Sequence, residues 1–280
     1  MSDLPILSYC RPESVEEVLH ELQRRGARIY AGGTDLLVAL RLRHASVRTV
    51  RVLVDIKGVG DARGISDLGA DIRIGALTTA AELMAHPVIK RHARALVEAA
   101  ADTSAPQLRA RGTVGGNVSS VHPAADMTTA LLALGATVEL ATASPRVTIR
   151  QVPLAQLFTR RGARPNGKHF IVAVRIPKCG QSAFEKLGTR HVFSRSVVAV
   201  AVAIRDGSHC VAIGGIGAHP FVARRVSASL DARVAISSAL EAEYGAAALP
   251  ASPSSPLDLA EALIERARLR ASRARSRGEA

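Results

Sequence analysis

Apolar residues at Val15, Val18, Leu19 and Leu22 recur at helical spacing, with Ser14 placed as an N-cap and Gly26 as a stop, so residues 13–25 are predicted to form a helix. Residues 27–31 then read as a short strand, residues 34–43 as the start of a helix, and Val50-Arg-Val-Leu-Val-Asp-Ile56 as a second strand. The stretch after it, Gly58-Val-Gly60-Asp-Ala-Arg-Gly64, imitates a dinucleotide fingerprint. It leads only into a turn and a further strand ending at Ile74, with no amphipathic helix, so a hairpin-type turn is the better reading. Helices are predicted at residues 80–85, capped by Thr79, at 88–101, opened by Pro87, and at 123–134, where Met127, Ala130, Leu131 and Leu134 share a face. Strands follow at 138–141, 147–150 and 170–176, the last stopped by Pro177. Beyond Pro177 the pattern changes to three strands, at 182–187, 196–205 and 210–217, and then to helices at 226–232 and 235–244. Such interleaving of helices and strands with hairpin-like turns defines an α+β chain, not a strict parallel βαβ series. The expected division is residues 1–177, residues 178–249, and a Pro- and Ser-rich connector with a helical, Arg-rich, fraying tail over 250–280.

Two glycine pairs, each trailed by Thr or Asn, interrupt this pattern. Gly32-Gly33 follows the first internal strand directly, within Tyr30-Ala-Gly-Gly-Thr-Asp-Leu36. Gly115-Gly116, flanked by Thr113 and Asn117, lies in residues 109–126, a run with too few apolar side chains for a core strand and too many turn residues for a helix. An isolated Gly-Gly is most often a tight turn. Two of them, each trailed by Thr or Asn, are expected to be loops that turn backbone N–H groups toward one shared anion, and phosphate suits such loops best. Asp35 fits this only by capping its own amides or meeting a ligand hydroxyl.

At 280 residues the chain is long enough to bury roughly three quarters of its unfolded surface. Its net charge of +13 raises a nucleic-acid role, but the arginines are scattered, the one dense basic run is the tail, and basic and aromatic residues do not interleave. An acidic protein surface is the better partner for that charge. Three distant cysteines, Cys10, Cys179 and Cys210, with no Cys-x-x-Cys, exclude a disulfide framework and any self-contained iron–sulfur or zinc site of the usual spacing, and no metal ligands are assigned. No signal pattern or membrane span is visible, so a cytoplasmic protein is expected.

Hydrolase and Walker signatures are absent, and no carboxylate pair flanks the glycine segments. His122 is the single candidate acid or base there, and a lone loop histidine is more often a packing or hydrogen-bonding residue. No catalytic residue is assigned. A chain that holds something reactive without supplying reactive groups behaves as a cofactor protein.

Ala31-Gly-Gly-Thr-Asp-Leu36, Pro106-Gln-Leu-Arg-Ala-Arg-Gly-Thr-Val-Gly-Gly-Asn117, Pro123-Ala-Ala-Asp126 and Val211-Ala-Ile-Gly-Gly-Ile-Gly-Ala-His-Pro220 together resemble the FAD-binding medium subunit of the molybdenum hydroxylases. The resemblance runs to about Leu240 and implies a PCMH-type FAD-binding domain of two α/β subdomains, followed by a C-terminal domain with a three-stranded antiparallel sheet and helices. It also implies FAD in an extended pose. Ile29, Tyr30, Ala31, Gly32, Gly33, Thr34, Asp35 and Leu36 would meet the diphosphate from one side, and Gly112, Thr113, Gly115, Gly116 and Asn117 from the other. Asp126 would take sugar or ribityl hydroxyls, Ile171 would touch the isoalloxazine, and Lys186 would stand at the flavin edge. Molybdopterin and [2Fe-2S] clusters are then expected in a large and a small partner subunit, in a dimer of heterotrimers that passes electrons through FAD to an external acceptor. The sequence departs from the family at His191-Val-Phe-Ser-Arg195 and at the C-terminus, where an Arg-rich run replaces the usual Ser-x-x-Tyr-Arg. Two other readings stay open: a self-sufficient FAD-dependent oxidase or reductase of the wider vanillyl-alcohol-oxidase-like fold, and a basic binding module.

Overall fold

The computed structural model describes residues 8–143, 146–158, 168–190, 194–244 and 256–274. Three sheets organise them, met one after another along the chain. The first is parallel, with β1 (Ser8–Cys10), β2 (Ala27–Tyr30) and β3 (Val52–Asp55) in the order β1-β3-β2. Helix α1 (Val15–Glu21) starts as the sequence predicts, with the Ser14 hydroxyl accepting from the N–H of Glu17. Its Val15, Val18 and Leu19 pack into one apolar cluster with Val52, Val54, Phe170 and Val172, which fastens the small sheet to the next one. Helix α2 (Leu36–Arg41) is a six-residue piece after β2.

Two 3-10 turns, Ile56–Gly58 and Gly60–Ala62, carry the chain out of β3. The expected hairpin at Gly58–Gly64 is therefore a crossover between sheets, because β3 and the following β4 (Ile65–Asp67) belong to different ones. Asp55 tightens the first of these turns by accepting from the N–H of Lys57, a contact that no periodicity reveals.

The second sheet is antiparallel. It is built from β4, β5 (Asp71–Gly75), β6 (Thr137–Ala143), β7 (Val147–Pro153) and β8 (His169–Pro177), in the order β4-β5-β8-β6-β7. Between β5 and β6 run six helices: α3 (Ala80–Ala85), α4 (Pro87–His92), α5 (Arg94–Asp102), α6 (Pro106–Arg109), α7 (Val114–Ser120) and α8 (Asp126–Ala133). A short α9 (Leu154–Leu157) follows β7. Helix α3 opens with a capping box between Thr79 and Glu82. The single helix predicted over 88–101 breaks at Ala93, where φ is −148° and ψ is 52°. Helix α5 then finds an acceptor from far away, since the N–H of Ala95 donates to Ser182 Oγ.

The third sheet, β9 (Gln181–Gly188), β10 (Ser196–Arg205), β11 (Ser208–Gly214) and β12 (Phe221–Val222), is antiparallel in the order β12-β11-β10-β9. The three expected strands are present, and the two-residue β12 adds a fourth. Asp206 and Gly207 close the β10–β11 hairpin, both with positive φ (51° and 79°), as an Asp-Gly turn of this kind needs. One face of this sheet, with Phe184, Ala199 and Ala201, joins the core of α5, α8 and the second sheet. The opposite face, with Ala183, Val198, Val200 and Val202, is covered by α10 (Arg224–Asp231), α11 (Ser237–Tyr244) and α12 (Pro256–Arg273). The expected fraying of α12 is not found up to Arg273. Ala260, Ile264, Ala267 and Ala271 form a buried stripe along it, and small side chains let the helix lie close on the sheet. Of the connector expected over 250–256, Pro256 opens α12, while the rest and the end of the tail lie outside the described residues.

Candidate functional site

The second glycine segment is not the loop its composition suggests. Residues Val114–Ser120 form α7, started by the Thr113 hydroxyl, which accepts from the N–H of Gly116 at 3.1 Å. Glycine and asparagine are poor helix formers, but packing overrides that weakness here. Gly115 is buried so closely that a Cβ on it would stand 2.7 Å from the Cβ of Ala76, so only glycine lets α7 lie on the end of β5. Gly116 faces outward on the first turn.

The first glycine segment is a loop, and it meets the second. A Cβ on Gly32 would lie 2.0 Å from the carbonyl oxygen of Arg111, and a Cβ on Gly112 would come within 4.0 Å of Thr34 Oγ1. The Arg111 guanidinium donates to the carbonyl of Gly32 at 3.3 Å. Gly33 adopts φ +74°, folding the loop over the ring of Tyr30. Among the described residues, the N–H groups of Gly32, Gly33, Thr34, Asp35 and Leu36 donate to no protein acceptor. Five consecutive free amides beside a glycine-lined neighbour can meet an anion with several oxygens, such as a diphosphate. Asp35 sits exposed at the start of α2 and makes no capping bond.

The loop rests on a charged support. Lys57 Nζ lies 3.8 Å from the centre of the Tyr30 ring, donates to the carbonyl of Ala31 at 3.4 Å and pairs with Asp55 at 2.8 Å. The Tyr9 hydroxyl donates to the other Asp55 oxygen at 2.5 Å. Burial alone would push the Asp55 carboxyl up, but the bonds from Lys57 and Tyr9 outweigh it and hold Asp55 below the usual carboxylate range. Side chains of Ile29 and Leu36 are partly buried against apolar clusters.

Asp126 and Lys186, expected at separate parts of a flavin, are joined to each other. Lys186 Nζ lies 2.9 Å from Asp126 Oδ2 and also donates to the carbonyls of Asp102 (2.7 Å) and Ser194 (3.3 Å). The hydroxyl of Ser196 donates to Asp126 Oδ1 at 2.5 Å. Burial drives the Asp126 carboxyl above its ordinary range against the pull of Lys186 and Ser196. Asn117 ties this pair to the glycine segment, because its Oδ1 accepts both the N–H (2.9 Å) and the hydroxyl (2.8 Å) of Thr128 in α8. Ile171 is buried on β8, in the same apolar cluster as Val114 of α7. Burial and the nearby Arg195 hold His122 below the usual imidazole range, and its Nδ1 accepts from the N–H of Ala124 at 3.1 Å, as a turn residue does. Sequence reasoning missed Arg111, Lys57 and Ser196. Ser196 and Arg111 carry no local signal, whereas Asp-Ile-Lys after a strand is a weak hint of a turn-supporting lysine.

These features bring two remote glycine segments into contact and place a buried cation–carboxylate pair on the helix that Asn117 ties to the second of them. Residues 5–179 match the family described as the FAD binding domain in molybdopterin dehydrogenase, and the chain belongs to that family. It is similar to the nicotinate dehydrogenase FAD-subunit of Eubacterium barkeri, 35% identical over 211 residues that cover 71% of this chain and 69% of that one. To the carbon monoxide dehydrogenase medium chain of Afipia carboxidovorans it is 30% identical over 208 residues, 72% and 70% of the two chains. The fold superposes on a chain of carbon monoxide dehydrogenase from Hydrogenophaga pseudoflava with a TM-score of 0.85 and 25% identity, covering 98% of this chain and 99% of that one. The chain is accordingly an FAD-binding oxidoreductase chain of the molybdenum hydroxylase family. Among the described residues no helix is long and apolar enough to cross a membrane.

Proposed function

We propose that this chain is the electron-transfer flavoprotein subunit of a cytoplasmic, heterotrimeric molybdenum-containing dehydrogenase that assembles as a dimer of heterotrimers. A large molybdopterin subunit would oxidise the substrate and a small [2Fe-2S] subunit would relay electrons. FAD bound here supplies the exchange between that chain of carriers and an external acceptor. Residues 1–177 form the FAD-binding domain, residues 178–249 the C-terminal domain that brings Lys186, and residues 250–280 the connector and final helix. The free amides of Gly32 to Leu36 and the Thr34 hydroxyl take the diphosphate from one side, and Gly112, Thr113, Gly116 and Asn117 close the other. Asp126 accepts hydroxyls of the sugar or ribityl chain, Ile171 lies against the isoalloxazine, and Lys186 holds a positive charge at its edge.

The observation that carries this reading is the close approach of Gly32 to the Arg111 carbonyl, which brings the two glycine segments together. Replacing Gly32 by Ala forces them apart. The purified chain, reconstituted with FAD, is expected to bind it, and Gly32→Ala to weaken binding at least about tenfold, on the order of 1.4 kcal/mol. Equal flavin affinity in the two proteins, or no flavin uptake by the wild type, would remove the reading.

A further inference from the structure

β9 is the outer strand of its sheet, so the backbone groups on its open side need partners from elsewhere. Phe184 gets both from ions. Its N–H donates to Glu98 Oε2 of α5 at 2.8 Å, and its carbonyl accepts from the Arg270 guanidinium of α12 at 3.0 Å. Arg270 and Glu98 are themselves paired at 2.5 Å, and Arg270 also pairs with Glu185. An arginine–glutamate pair thus occupies the place of a missing neighbouring strand. Both carboxylates have further cations, Arg94 at 2.8 Å from Glu98 and Arg266 at 3.3 Å from Glu185, but neither of these reaches the β9 backbone.

Two residues along β9 from Phe184 stands Lys186, on the same face of the strand. Its ammonium donates to the carbonyl of Asp102, which lies four residues after Glu98 on the same side of α5. Helix and strand are therefore joined by two rungs, Glu98–Phe184 and Asp102–Lys186. The first rung is locked by an arginine from the far end of the chain.

We propose that Arg270 is a positioning residue for Lys186: by bracing Glu98 against the open side of β9, it fixes where the lysine's charge stands relative to bound FAD. This rests on the reading of Lys186 as the flavin-edge cation. A cation there favours reduced, anionic FAD over oxidised FAD, so letting it drift lowers the potential.

The test uses the full chain as wild type, Arg270→Gln, Arg270→Lys, Lys186→Met and the double variant Arg270→Gln/Lys186→Met, each loaded with FAD and titrated for its midpoint potential. Arg270→Gln is expected to shift the potential downward, in the direction of Lys186→Met, by about 30 mV, equal to a tenfold relative loss for reduced FAD in a two-electron couple. The double variant is expected to fall no lower than Lys186→Met alone, because the two act through one group. Arg270→Lys, which keeps the charge, should recover part of the shift. In the FAD-free chain, Lys186 should be acylated faster in Arg270→Gln than in wild type. If Arg270→Gln does not fold, Glu98→Ala removes the same rung from α5 and carries the same expectations. A lowered melting temperature with unchanged potential and unchanged acylation, in the presence of a shifted Lys186→Met, overturns the proposal. A Lys186→Met chain with the wild-type potential overturns the flavin-edge reading itself, and the proposal with it.

Discussion

A buried carboxylate owes its place to the groups around it, and Asp126 depends on Lys186. Taking away that ammonium leaves a carboxylate with only the Ser196 hydroxyl, in surroundings that already push its protonation upward. A carboxyl whose folded pKa is raised favours folding below its unfolded pKa and loses that contribution as pH rises. Lys186→Met should therefore cost about 3 kcal/mol at pH 7, with the gap from wild type narrowing as pH falls toward the ordinary carboxylate range, seen in melting temperature against pH. Glycines give a sharper contrast. Gly115→Ala sets a Cβ against Ala76 and should cost about 1–3 kcal/mol, while Gly60→Ala, with nothing within 4 Å of the new carbon, should leave chemical denaturation unchanged. At this scale the sequence marked glycines that the fold places at close contacts, Gly32 and Gly115 among them. It was silent about what each one touches: Arg111 and Ala76 are ordinary residues until the fold delivers them.

Elements were legible where local chemistry decides them. The Ser14 cap of α1 and the Thr79–Glu82 box of α3 are written in adjacent residues. Helix α7 was hidden because Gly-Gly-Asn argues against helix locally, and contacts with β5 and α8 supply what propensity lacks. Helix α12 was expected as a helix, but one that frays, because three of its four inward residues cited above are alanines, whose weak apolar signal drowns among arginines. Strands are also stitched by charge. On β6, Glu139 bridges Arg73 of β5 at 2.9 Å and Arg175 of β8 at 2.5 Å. Burial would raise this carboxyl, but the two guanidinium groups win and hold it below the ordinary glutamate range. A depressed folded pKa contributes stability above the unfolded value of about 4.3 and loses it as pH falls through the lower one. Glu139→Gln is expected to cost about 1–3 kcal/mol at pH 7, and thermal melts of the two proteins should converge under acidic conditions.

For the whole molecule, the α+β class and the change of character after Pro177 could be read from patterning, but the layering could not. Nothing local says that Val198, Val200 and Val202 face the last helix while Ala199 and Ala201 face α5 and α8. Ending the chain at residue 255 uncovers that valine face and removes the Arg270 brace. Such a chain should lose on the order of 5 kcal/mol, bind a hydrophobic dye and take up FAD poorly; a truncated chain that melts like the full one would contradict the packing. The strand orders β1-β3-β2 and β4-β5-β8-β6-β7 carry a consequence for synthesis. In each sheet the strand made last is the one slotted between two made earlier. The ribosome must finish Asp55 before β1 and β2 have anything to pair with, and Pro177 before the β4–β5 and β6–β7 hairpins become one sheet. A nascent chain stalled short of that point carries loose hairpins with open edges, and it is at this stage that a chaperone would have most to hold.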